Sequence, residues 1–331
     1  MADPGRISTG VTPSPRPSPA GRGGRSLPLH RFAVVTVLAT LALIFAGGLV
    51  TSTESGLSVP DWPLSYGQLM PPMVGGVRYE HGHRMVATAV GILTIVLAVW
   101  LSRREPRRWV RRLGWLALGA VVAQGLLGGL TVLLLLPTGV SVAHACLAQT
   151  FFCLIVTIAV VTSPRWERGR DTEPVTRLAA LTASAVFLQL LLGAVLRHTK
   201  AGLAIPDFPL SLGRVIPPLD SFPVAIAFAH RAWGIVVAVL VLVTAAAAFR
   251  TRRAGLTRAA LALALIVVAQ VALGAVTVLS RKNVAVTTAH VATGALLLGT
   301  VVAVAVGSLS RRRFVAVPSP GAGAKLLAWK A

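Results

Sequence analysis

Apolar residues in this chain come in runs close to 20 long, broken by short stretches that are rich either in arginine or in proline and glycine. Eight such runs stand out, at roughly 31–51, 84–102, 113–136, 140–162, 177–197, 225–249, 257–280 and 284–308. A helix needs about 20 residues to cross ~30 Å of hydrocarbon. Backbone polar groups in lipid must be satisfied within the segment, so runs of this length predict transmembrane helices. The predicted class is an all-α integral membrane protein with eight transmembrane helices.

Composition agrees: 55% of the 331 residues are hydrophobic, and mean hydropathy is +0.76. The formal net charge of +22 raises the question of nucleic acid. The placement of the charge answers it. Arg78, Arg84, Arg197, Lys200, Arg214, Arg231, Arg281 and Lys282 fall on one side of the predicted membrane. Every other Lys or Arg falls in a tail or in the connections after spans 2, 4 and 6. This is the positive-inside pattern, so both termini are expected in the cytoplasm of a cell that holds the protein in its plasma membrane. The excess charge describes topology and attraction to anionic lipid, not a nucleic-acid partner.

The expected organisation is a disordered tail at 1–29, a four-helix bundle at 30–163, a cytoplasmic linker at 164–176, a second bundle at 177–310 and a tail at 311–331. A signal peptide is rejected for the N-terminal end because span 1 has a counterpart in span 5. Cys146 and Cys153 both fall in span 4 and read as small packing residues. No outward loop contains cysteine, so no extracytoplasmic disulfide is expected.

The chain repeats itself. Gly56-Leu57-Ser58-Val59-Pro60-Asp61-Trp62-Pro63-Leu64-Ser65-Tyr66-Gly67 matches Gly202-Leu203-Ala204-Ile205-Pro206-Asp207-Phe208-Pro209-Leu210-Ser211-Leu212-Gly213. Pro71-Pro72 matches Pro217-Pro218, Gln124 matches Gln270, and Leu127-Gly128 matches Leu273-Gly274. The steady offset of 146 or 147 predicts a duplicated four-helix unit. An even number of spans per unit makes the result a parallel tandem repeat of two pseudo-symmetric bundles, related by an axis along the membrane normal. The repeated loops face outward and read either as caps over the bundle mouths or as relics of the duplication.

Four of the seven histidines follow the repeat. His83 and His144 are 61 residues apart, and His230 and His290 are 60 apart. All four are expected within ~10 Å of the outer boundary, on spans running outside to inside. An ionisable side chain in a span is a functional-site hypothesis by default. Two facing pairs at equal depth suit axial ligation of two haems. Interhelical hydrogen bonding and a histidine-bound metal without porphyrin are the competing readings.

Arg84 and Arg231, each following a histidine, are expected either to contact haem propionates or to snorkel to headgroups. Glu80 lies three residues before His83, one turn above it. Its counterpart is Ala227, so the repeat keeps both histidine pairs but one carboxylate. That asymmetry suits one reacting haem and one permanent haem. His198 is expected to be exposed at the rim, and Gly125 and Gly129 to allow close helix approach or room for a macrocycle.

Taken together, Gly-Leu-Ser-Val-Pro-Asp-Trp-Pro at 56–63, Glu80-His81-Gly82-His83-Arg84, His198-Thr199-Lys200 leading into 202–209, Ala229-His230-Arg231, His144 and His290 resemble the haem A synthase family over about residues 30–310. The resemblance implies an oxidoreductase that converts the C8 methyl group of haem O to a formyl group, by two hydroxylations and loss of water. By the same resemblance His83 and His144 hold the substrate haem, and His230 and His290 hold haem b. Glu80 then stabilises developing positive charge or deprotonates a water. Expected partners are haem O, its synthase, a quinone or other electron acceptor, the lipid bilayer and a second copy of the chain. Some members of that family carry outer-loop cysteine pairs, which this chain lacks. The alternatives are a di-haem b-type cytochrome in quinol-linked electron transfer and a transporter built on parallel repeats.

Overall fold

A computed structural model describes residues 27–164, 166 and 173–309. It contains eight long helices: α1 (Leu27–Ser52), α2 (Val77–Arg104), α3 (Arg108–Leu133), α4 (Thr138–Thr162), α5 (Glu173–His198), α6 (Phe222–Arg250), α7 (Ala254–Leu279) and α8 (Val284–Gly307). All eight are long and apolar enough to cross a membrane. The chain is therefore an all-helical, multi-pass membrane protein.

Helix ends depart from the hydropathy runs in an instructive way. The helix α1 starts at Leu27, inside the stretch expected to be tail. The rest of that tail, most of the 164–176 linker and the 311–331 tail lie outside the described residues. The helix α2 starts at Val77 rather than near 84. Its first turns carry Arg78, Glu80, His81, His83 and Arg84, which hydropathy scores as polar loop. An acidic residue in a first turn suits the helix N-terminus, and Glu80 lies there.

Within residues 27–162, α1 packs on α2 and α4, and α3 packs between α2 and α4. Within 173–307, α5 packs on α6 and α8, and α7 packs between α6 and α8. One core is built around Val90, Leu97, Ile155 and Ile158, and another around Val241, Leu263, Leu298 and Val301. The two sets meet through α1, α4, α5 and α8. At this seam Ile44, Phe152, Val156 and Ala295 form a third apolar cluster. The Phe152 ring lies on Gly299, where a side chain would collide with it. Outward-facing positions are apolar too: Leu265 is 72% exposed and Val268 65%. Water would penalise such a surface, and lipid accepts it.

The connections α1–α2 and α5–α6 are built alike. Tyr66 and Gly67 have φ values of 54° and 69°, and Leu212 and Gly213 have 55° and 71°. Two successive residues with φ > 0 turn the chain tightly, and a bridge joins Ser65 to Gln68 and Ser211 to Arg214. The Asp61 carboxylate accepts from the Tyr66 and Gly67 N–H groups at 2.7 and 2.8 Å. Asp207 accepts from Leu212 and Gly213, both at 2.8 Å. These bonds offset the cost of placing Tyr66 and Leu212 in the left-handed region. The Trp62 ring closes down on Gly129 of α3, where a Cβ would stand within 3 Å of it.

Both aspartates sit below the ordinary carboxylate range, chiefly because the Gly67 and Tyr66 amides (for Asp207, the Gly213 and Leu212 amides) donate to the ionised form. A depressed folded-state pKa contributes stability above the unfolded value, and that contribution is lost as pH falls through the folded one. Substituting Asp61→Ala is therefore expected to raise hydrogen exchange at the Tyr66 and Gly67 amides at neutral pH. Wild type should show that loosening only under acid conditions below the usual carboxylate titration. Equal protection in both proteins at neutral pH would contradict the carboxylate-held turn.

Candidate functional site

The four repeated histidines enter from equivalent places. His83, His144 and His290 each lie six residues beyond the first residues of their helices, 77, 138 and 284. His230 lies eight beyond 222.

Each imidazole is seated against a glycine of a neighbouring helix. A Cβ on Gly47 of α1 would stand 3.0 Å from His83 Cε1, and one on Gly128 of α3 3.2 Å from His144 Cε1. Gly193 of α5 and Gly274 of α7 stand in the same relation to His230 and His290, at 3.0 Å each. Gly47 and Gly193 differ by 146 positions, and so do Gly128 and Gly274. The Gly128/Gly274 match is visible in the sequence. The Gly47/Gly193 match passed unnoticed there because apolar helix residues surround it.

Glutamines brace the histidine-bearing helices. Gln124 Nε2 donates to the His144 carbonyl at 3.0 Å and lies 3.3 Å from its Nε2. Gln189 does the same for His230, at 3.0 Å to the carbonyl and 3.2–3.3 Å to the ring nitrogens. Gln189 was another omission from the sequence reading, because it does not fall on the 146-residue repeat. Gln270 lies against Gly294 of α8.

Arg84 and Arg231 both reach the repeated loops. Arg84 donates to the carbonyls of Asp61 at 2.7 Å, Leu64 at 2.9 Å and Val59 at 3.2 Å. Arg231 donates to Asp207 at 2.8 Å, Leu210 at 3.0 Å and Ile205 at 2.6 Å. These are the same three places in the repeated loop. Each guanidinium fork is spent on holding a loop over the bundle, and the loops are caps rather than slack connections.

Glu80 is 4% exposed. One carboxylate oxygen accepts from the Val59 N–H at 2.8 Å, and the other pairs with Arg84 at 2.8 Å. Ala227, at the matching place, is also buried. Beside Glu80, His81 Nδ1 shares a hydrogen bond of 2.8 Å with Ser65 Oγ of the cap. His198 is half-buried rather than exposed, and its carbonyl accepts from Thr138 Oγ1 of α4 at 3.4 Å. Gly129 takes the Trp62 ring, and the Cβ direction of Gly125 faces open space. Cys146 and Cys153 are unpaired, and Cys153 packs against the second core.

Two imidazoles per site are too few to enclose a bare ion. Among the described residues no three His, Cys, Asp or Glu side chains gather to hold one. A haem brings four equatorial nitrogens and needs two axial donors, which is what each pair offers. One buried ring nitrogen of each of His83, His144 and His290 has no hydrogen-bond partner, as expected of side chains shaped to meet a ligand. A basic groove of about 330 Å³ lined by Ser102, Arg108, Arg111, Arg112 and Trp115 lies away from the histidines and shares no residue with them.

Fold and site together define a multi-pass membrane protein carrying four glycine-seated imidazoles beneath arginine-clamped caps. The family model described as cytochrome oxidase assembly protein matches residues 30–75 and 77–302. A haem A synthase of Symbiobacterium thermophilum is 37% identical over 272 residues, covering 77% of this chain and 87% of that one. One of Caulobacter vibrioides is 30% identical over 335 residues, covering 86% and 97%. One of Rhizorhabdus wittichii is 26% identical over 340 residues, covering 87% and 93%. The chain belongs to the haem A synthase family, whose members bind haem.

The glycine seats give a direct test. Gly274→Val is expected to push the His290 ring from its place and reduce haem content by about half, read from the Soret band per protein. Gly119→Val, at a glycine facing open space, is expected to leave it unchanged. Equal haem content in both variants would remove the glycine seats from the account.

Proposed function

We propose that this protein is a haem A synthase that oxidises the C8 methyl group of haem O to a formyl group, with both termini in the cytoplasm and the histidine sites near the outer face. His83 and His144 hold the substrate haem in a bundle formed by 30–163. His230 and His290 hold haem b in a second bundle formed by 177–310, related to the first as a parallel repeat. When bound, haem b supplies one-electron transfer.

The observation that carries the division of labour is Glu80. Arg84 and Arg231 clamp the same three cap carbonyls, yet Arg231 does so with Ala227 where Arg84 has Glu80. Capping therefore does not require the acid. Burial of a carboxylate costs free energy unless it is paired, and Val59 N–H and Arg84 offset that cost. They also fix its orientation one turn above His83. A fixed negative charge there stabilises positive charge that develops on the substrate carbon as electrons leave it, or accepts a proton from a water. The cap excludes bulk water from this spot, which strengthens the electrostatic effect.

Haem O comes from its synthase, and electrons pass to a quinone or another acceptor. The outer loops lack cysteine, so a thiol step that relies on outer-loop cysteine pairs has no residues to act through here.

Expression with and without haem O synthase, followed by chromatography and mass analysis of extracted haems, tests the reading. Haem A or its hydroxylated precursor is expected only when haem O is supplied. Haem b alone under both conditions, in folded protein, would instead indicate a di-haem cytochrome. Glu80→Gln, which keeps the shape but not the charge, is expected to retain haem binding and lower haem A output by at least tenfold. Unchanged output would remove Glu80 from the chemistry.

A further inference from the structure

Arg197 is the third arginine on the capped side of the bundle whose contacts are specific, and it does not touch a cap. It lies in the last turn of α5 and reaches across the seam to α1. Its Nη2 donates to the Gly48 carbonyl at 2.7 Å and to Ser52 Oγ at 2.8 Å. The ion pairs formed by Arg84 and Arg107 use Glu80 and Glu105, and no carboxylate among the described residues pairs with Arg197. A mostly buried guanidinium whose fork is only partly used, and which has no counter-charge, is a costly arrangement unless an anion completes it.

Its surroundings indicate which anion. Gly47, next to the residue that Arg197 holds, seats the His83 ring. Gly48 itself packs on Thr288 and Val291 of α8, which flank His290. Thr288 is fully buried, and its hydroxyl and that of Thr287 have no partner. Arg197 is thus fixed between the two histidine sites. Haem carries propionate carboxylates, and Arg84 and Arg231, the arginines adjacent to the histidines, are committed to cap carbonyls.

Resting on the reading that His230 and His290 hold haem b, we propose that Arg197 is the carboxylate seat of that second site, pairing with a haem propionate at the seam between α5 and α1. A carboxylate suits the planar guanidinium fork better than it suits a lysine ammonium.

The test compares haem b with its uncharged dimethyl ester. Full-length protein from haem-depleted cells is titrated in detergent with each, in wild type, Arg197→Gln and Arg84→Gln. Wild type is expected to prefer the free acid by about tenfold or more, the scale of one charge-assisted pair. Arg197→Gln should lose most of that preference, and Arg84→Gln should keep it. An unchanged preference in Arg197→Gln overturns the proposal, including the case in which only binding to anionic vesicles falls, which would make the ligand a lipid headgroup. If haem binds wild type but His230→Ala and His290→Ala do not lower its content, the reading of the site fails, and the proposal with it. Should apo-protein not stay folded, the midpoint potential of haem-loaded protein decides. It should fall in Arg197→Gln and be restored in Arg197→Lys, and an unchanged potential overturns the proposal.

Discussion

An imidazole inside a lipid-facing bundle needs space, and this fold makes that space by removing a side chain from the helix opposite. Gly47, Gly128, Gly193 and Gly274 each lie under one histidine ring. Most else follows from that contact. Each ring is carried by an even-numbered helix and its glycine by the odd-numbered helix before it, so neighbouring helices must meet at a fixed register. The glutamine bonds to the His144 and His230 carbonyls hold that register from the side. The apolar cores lie deeper along the same helices, where ordinary packing suffices. Glycine in a helix costs stability relative to alanine, so its use at four matching places reflects a demand for room rather than a propensity.

The caps impose a second constraint. A loop lying against the mouth of a bundle has carbonyls that lipid cannot satisfy, and an unsatisfied buried polar group costs about 1–3 kcal/mol. One arginine per half meets that demand at three carbonyls. Placing it directly after the repeated histidine ties the cap to that ring, so movement of the loop and movement of the ring are coupled through one helix turn. Glu80 joins this arrangement in the first half through both Arg84 and Val59. Its charge is therefore held by the same contacts that hold the cap.

How much of this could be read from the residues varies with the physics involved. The number of helices was legible because hydropathy measures what lipid selects. The histidine pairs and matched loops were legible because an offset of 146 or 147 is a pattern in one dimension. Helix starts were less so: Arg78, Glu80 and His83 look like loop until Gly76 is seen to end the cap and α2 to begin behind it. The roles of Arg84 and Arg231 were not legible. Choosing between a propionate and a backbone carbonyl depends on where the loop folds, and spacing carries no such information. The partial burial of His198 was equally illegible, since it depends on how α5 packs against neighbouring helices, α4 among them.

The outer arginines finally separate into two kinds, and the difference lies in what remains unpaired. Arg84 and Arg231 meet three backbone carbonyls each, which are neutral acceptors; Glu80 pairs with Arg84 in one half, and Ala227 offers no such partner in the other, leaving Asp207 of the cap, whose carbonyl Arg231 holds, as the nearby acid. Arg197 meets one carbonyl and one hydroxyl, also neutral. Among the described residues Arg84 thus forms an ion pair at 2.8 Å, while neither Arg231 nor Arg197 forms one. A positive site of this kind favours a ligand that brings negative charge and an electron-accepting centre that gains it. The difference between the halves therefore lies in one glutamate, which pairs with Arg84 and has no counterpart beside Arg231.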